Sequence, residues 1–169
     1  MGRMKILSIF LALSLIVSAF AFSAEANQPP AFLMTIARGT PDDVRTAIAA
    51  GADVNEVIVA PFGSTTPLMI AAAENANLEI IKILLEAGAN VNATGEVLQS
   101  VGNTALILAA QFTRNPEVII TLLEAGADVN MEARNHTAGI SLKALDVARE
   151  NPNLRNTEAL RLLEEMTEE

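Results

Sequence analysis

A five-residue phrase occurs three times in this 169-residue chain. Gly51-Ala52-Asp53-Val54-Asn55 returns as Gly88-Ala89-Asn90-Val91-Asn92 and as Gly126-Ala127-Asp128-Val129-Asn130, at spacings of 37 and 38 residues. A second phrase runs ahead of it. Thr66-Pro67-Leu68-Met69-Ile70-Ala71-Ala72 is echoed by Thr104-Ala105-Leu106-Ile107-Leu108-Ala109-Ala110, 38 residues on. A third, Leu84-Leu85-Glu86-Ala87-Gly88, is echoed by Leu122-Leu123-Glu124-Ala125-Gly126. Self-similarity at such a period restricts the chain to stacked copies of one supersecondary unit.

The unit can be built from its residues. Thr66 and Thr104 are suited to cap a helix, and Pro67 stands at the first helical position, where Pro is tolerated. The paired alanines that follow belong to a short helix that neighbours can approach closely. Asn115-Pro116-Glu117 and Thr40-Pro41-Asp42-Asp43 read as starts of a second helix, with cap, Pro and first-turn acids. Ile80, Ile81, Leu84 and Leu85, and likewise Val118, Ile119, Leu122 and Leu123, form apolar stripes at helical spacing. Gly51, Gly88 and Gly126 stop that helix where a left-handed residue is needed. The result is helix–turn–helix–loop. One copy cannot bury its own stripe, but stacked copies can.

These residues resemble the ankyrin repeats. The order Thr-Pro-Leu, paired Ala, Leu-Leu-Glu-Ala-Gly, Ala-Asn-Val-Asn over residues 66–92 follows that family's pattern, and residues 104–130 follow it nearly as well. Degenerate copies over about 31–55 and 143–166 have the character of caps. The expectation is an all-α solenoid of about four repeats, near 31–64, 65–102, 103–142 and 143–169, joined by extended hairpin-like loops. Two departures stand out. The family's motif His is replaced by Met69, Ile107 and Asp146, which removes its hydrogen bonds between repeats. The period also exceeds the family's roughly 33 residues, and the excess lies in loops that carry Val57, Ile58, Val59, Phe62, Val97, Leu98 and Val101.

The first residues read differently. Arg3 and Lys5 precede an uncharged run over residues 6–24, then small residues and Glu25. That is the layout of a secretory signal peptide, with cleavage expected after Ala26 or, in a second frame, after Ala21. Residues 1–26 are therefore assigned to the leader and 27–169 to the repeat domain, which carries 9 basic against 19 acidic residues. An uncleaved membrane anchor is the competing reading, because the run approaches the roughly 20 residues that span a bilayer. The expected location is periplasmic or secreted, with no membrane contact after cleavage.

Composition removes several function classes. Without Cys there is no disulfide framework, thiol nucleophile or thiolate metal site, and no lipid-modified Cys. The only His, His136, lies in a polar loop with no second strong ligand near it in sequence. The acidic balance argues against nucleic acid, which requires a basic face. Asp42 and Asp43 point to different sides of a helix, and the terminal glutamates suit a solvated cap. No phosphate loop or nucleophile elbow is present. No catalytic residue, metal or cofactor is expected. A carboxylate-dependent hydrolase remains as a minor alternative.

The resemblance implies a protein partner, gripped by the finger loops and the concave face of the first helices. Mapped onto this chain, that face offers Thr65, Ala73, Glu74, Asn103, Gln111 and Phe112. The fingers add Val57, Val59, Phe62, Val97, Leu98, Met131 and Arg134. Phe112 is the favoured anchor, being one of three aromatics outside the leader. Two alternatives stand beside this. The finger aliphatics could bury one another, and Phe112 could tuck into the turn between helices. The expected partner is another exported protein, bound by a monomer.

Overall fold

A computed structural model describes residues 31–60, 63–74, 77–97, 100–136 and 138–168. The leader, Phe62 and Leu98 lie outside the described residues. Among the described residues four helix pairs follow one another: α1 (Ala31–Arg38) with α2 (Pro41–Ala49), α3 (Pro67–Ala73) with α4 (Leu78–Glu86), α5 (Ala105–Phe112) with α6 (Glu117–Glu124), and α7 (Ala144–Glu150) with α8 (Glu158–Glu168). The odd-numbered helices pack side by side in one row and the even-numbered helices in a second.

Local chemistry sets the helix ends. The Thr40 hydroxyl accepts from the Asp43 N–H while the Asp43 carboxylate accepts from the Thr40 N–H, a closed capping box. Hydrogen bonds from the Thr40 backbone and then its hydroxyl hold the Asp43 carboxyl below the usual carboxylate range. Thr66 and Thr104 each accept from a backbone N–H three residues on, at 3.3 Å. At the far ends, Gly51, Gly88 and Gly126 take φ of 96°, 88° and 86°. Each donates to the residue three before it, and the alanine after each donates five back. This is the Schellman closure.

The repeats are tied together by packing and by an asparagine ladder. Ala71, Ala72, Ala109 and Ala110 are buried between inner helices, and Ile81, Leu84, Ile119 and Leu122 between outer ones. Each such aliphatic contributes about 2 kcal/mol by leaving water. Asn55 donates to the Gly88 carbonyl at 2.9 Å and accepts from the Asn90 N–H at 2.7 Å. Asn92 does the same to Gly126 and Asp128, at 3.1 and 2.8 Å. The third copy, Asn130, accepts from the Lys143 ammonium at 2.9 Å. Asn151 carries a second kind of tie. It is buried, and its amide donates to the carbonyls of Ala110 and Thr113 at 3.0 and 3.1 Å, joining the last pair to α5.

The all-α expectation is corrected here. Among the described residues six strands form one antiparallel sheet in chain order: β1 (Ile58–Ala60), β2 (Gly63–Thr65), β3 (Gly95–Val97), β4 (Ser100–Asn103), β5 (Ala133–Asn135) and β6 (Ile140–Leu142). Each loop between helix pairs is a hairpin, as expected, but the hairpins also pair with one another. Gly63 faces Val97 and Ser64 faces Glu96 across β2 and β3, and Ser100 faces Asn135 and Val101 faces Arg134 across β4 and β5. The physical reason is commensurate spacing. Two strand separations of about 4.8 Å match the roughly 8–10 Å between packed helices. A two-stranded finger per repeat therefore keeps pace with the helix stack.

Close backbone approach makes that join possible. A Cβ on Gly63, whose φ is 135°, would collide with the Glu96 carbonyl, and one on Gly95 would meet the Ser64 carbonyl and the Met69 side chain. Met69, at the position of the missing His, is buried against the finger sheet instead.

Two outcomes follow from this packing. Replacing Asn151 by Ala leaves two buried carbonyls without their donor, which should lower the unfolding free energy by about 2 kcal/mol in denaturant titration. Gly63→Ala should reduce amide-exchange protection in β2 and β3 while leaving the helices protected.

Candidate functional site

The sheet has two faces. Its outward row runs Val59, Ser64, Glu96, Val101, Arg134, Ser141 across the six strands. Its inward face meets the inner helices. Over the first fingers that space is filled: Ile58 is 4% exposed, and Val97 and Met69 are also buried. Toward the third finger the two layers part and leave a cavity of about 260 Å³.

The cavity has a helix wall and a sheet wall. Ile107, Leu108, Gln111 and Phe112 come from α5 and Val147 from α7. Val97, Ser100, Ala133, Asn135, Ile140 and Leu142 come from β3 to β6, with Asn103 at the corner. No lining residue carries a formal charge. Most of the surface is aliphatic, with the carboxamides of Gln111 and Asn135 set on it. The Asn135 side-chain Oδ1 accepts from the Ala138 N–H at 2.8 Å, which fixes that side chain in the turn before β6. The Asn103 amide donates to the Ser100 carbonyl, which holds the corner of the finger.

The structure brings Val97, Asn103, Gln111 and Phe112 together in this cavity. It disperses the other candidates among the described residues. Val57 and Val59 stand exposed at β1, Val59 at 74%, and neither lines the cavity. Arg134 is exposed on the outward row, 3.8 Å from Glu132. Thr65, Glu74 and Met131 are half-buried outside the cavity, and Ala73 is buried in α3. Phe112 does not stand out from the surface as an anchor. It is 7% exposed and forms part of the wall. The finger aliphatics divide: Val97 is buried, while Val57 and Val59 are not.

Sequence reasoning missed Ser100, Ile107, Leu108, Ala133, Asn135, Ile140, Leu142 and Val147. A signal for three of them was present. Ile140-Ser141-Leu142 alternates apolar and polar residues after Gly139, the pattern of a strand with one apolar face. Ile107 also stands where the family has His, so an apolar floor replaces a polar one.

Glu74 ends α3 at the position equivalent to Phe112. Burial raises its pKa above the usual carboxylate value, and the Arg38 charge offsets part of that rise. Among the described residues no group of three or more His, Asp or Glu is placed to hold a metal ion, and no helix is long and apolar enough to cross a membrane.

Paired helices in two rows, with an arm of hairpins folded over the inner row, define a helical-repeat solenoid that presents a groove. The chain belongs to the ankyrin repeat family: the sequence model for ankyrin repeats (three copies) matches residues 32–133, more than half its length. The fourth helix pair lies beyond that match. A comparison with curated proteins gave no match. Ankyrin repeats are in general protein–protein interaction modules, and the family is typically non-catalytic.

The raised pKa of Glu74 gives a pH prediction. The folded chain holds that proton more tightly than the unfolded chain does. The group's contribution to folding is therefore most favourable below about 4.5, the ordinary value, and is withdrawn as pH rises through the folded value. Glu74→Gln should leave the melting temperature nearly unchanged at pH 4 and raise it at pH 7.

Proposed function

We propose that this chain is an exported, non-catalytic binding module that holds a protein partner in the cavity between its finger sheet and α5. The supporting observation is the cavity itself: an uncharged, largely aliphatic recess on a chain of net charge −9. Apolar recesses rimmed by polar surface are where partners dock. Val97, Asn103, Gln111 and Phe112 are its contact residues, joined by Ile140 and Leu142. Val57, Val59 and Arg134 belong to a different face and supply at most the rim of a larger footprint.

Export rests on the leader over residues 1–26, with cleavage after Ala26 or Ala21 releasing a periplasmic or secreted domain. The partner is then a protein of the same compartment, and the module works as a monomer. A basic partner surface is favoured by the acidic charge.

Affinity capture from an exported-protein extract, compared across variants, tests this reading. Gln111→Arg places a charge in the uncharged recess and should release at least one protein that the wild-type chain retains. Val59→Thr, on the outward row, should retain it. Equal retention by both variants would remove the cavity from the account. An intact Met1 in the exported fraction, read by mass spectrometry, would defeat cleavage.

A further inference from the structure

Two exposed aliphatics in the cavity wall belong to the last strand of the sheet. Ile140 and Leu142 are 50% and 39% exposed, and both lie on the inward face of β6, with Ser141 on the outward row. β6 ends the strand order and is exposed at all three positions. Proteins commonly protect such an edge with lysine, proline or a bulge. β6 has none of these within Ile140–Leu142, and its register with β5 is regular. Lys143, just beyond, is occupied with Asn130. The opposite edge differs. At β1 the inward residue Ile58 is already buried.

The fold already adds strands in this way. β2 with β3, and β4 with β5, are joined without a tight turn between them, each finger laid antiparallel against the edge of the one before. The β6 edge continues the same series.

Charge narrows what could fit. The cavity is neutral, but the chain carries a net charge of −9, which disfavours a second copy of itself and favours a segment with basic residues.

We propose that β6 and the cavity behind it take an extended segment of a partner protein as a seventh strand, with aliphatic residues at alternate positions and basic residues at its ends. The proposal rests on the interaction reading above and specifies the mode of binding. Main-chain hydrogen bonds along β6 supply affinity, and the alternate side chains facing inward supply selectivity. Those side chains cover Ile140 and Leu142 and reach the aliphatic floor. The basic ends complement the negative charge of the chain.

The probe is a fluorescent nine-residue peptide: lysine, then threonine and valine in alternation, then lysine. Two further versions carry N-methyl groups, one on every valine and one on every threonine. In a strand, alternate amides face opposite edges. Fluorescence anisotropy should therefore show saturable binding of the parent peptide. One methylated version should bind about tenfold or more weakly and the other should retain affinity, since several main-chain hydrogen bonds are lost from one edge only. The double variant Ile140→Thr with Leu142→Thr keeps strand propensity and should lose binding to a similar degree. Val59→Thr should not, and thermal melting checks that all variants fold.

Absence of saturable binding would overturn the proposal. So would equal affinity of all three peptides, which would mean side-chain capture without strand pairing. A dimer seen by sedimentation and abolished by the double variant would make a second copy the occupant and also overturn it. If extract capture succeeds while the peptide fails, the strand mode alone falls and the interaction reading stands.

Discussion

Each helix pair in this chain carries an apolar stripe that only the next pair can cover. That requirement governs the rest of the architecture. The paired alanines at residues 71–72 and 109–110 let inner helices come close, and the isoleucines and leucines of α4 and α6 fill the space between the outer ones. The glycines that end the outer helices turn the chain sharply enough to begin the next pair in register. Asn55 and Asn92 then fasten each turn to the turn after it. These groups sit at repeat-equivalent positions, so one set of local rules applies along the whole stack.

The finger sheet is a second layer on the same lattice. A hairpin advances by two strand spacings, close to the advance of one helix pair. Hairpins that are long enough therefore meet at hydrogen-bonding distance. The glycines at 63 and 95 remove the side chains that would hold them apart. Once paired, the fingers lose their independence. Their inward face becomes a roof over the inner helices, tightly fitted at Met69 and Ile58 and raised over α5 and α7.

The raised end is where chemistry is available. Its walls are aliphatic, with carboxamides and without charge, on a protein whose surface is otherwise strongly acidic. Such a site favours burial of apolar side chains and hydrogen bonds to amides over capture of ions. Phe112 takes part by shaping the wall. It is 7% exposed and lies in the wall, not out on the surface.

The sequence by itself determined the repeat, the helix pairs, their caps and the stacking. Those follow from contacts within one unit or between equivalent positions of adjacent units, and Thr66, Gly88 and the stripe of α4 state them directly. It also placed the hairpins, with Val97 on a finger and Asn103, Gln111 and Phe112 on the concave face. Only the tertiary structure decided that the hairpins join into one sheet, because pairing between fingers depends on a match of spacings that no single unit contains. It decided, too, that Phe112 lies in a wall while Val59 faces water, and that Ile140 and Leu142 share a cavity with α5. Residues about 30 apart in sequence meet there across two layers, and which face each strand turns inward is fixed only once its neighbours are in place.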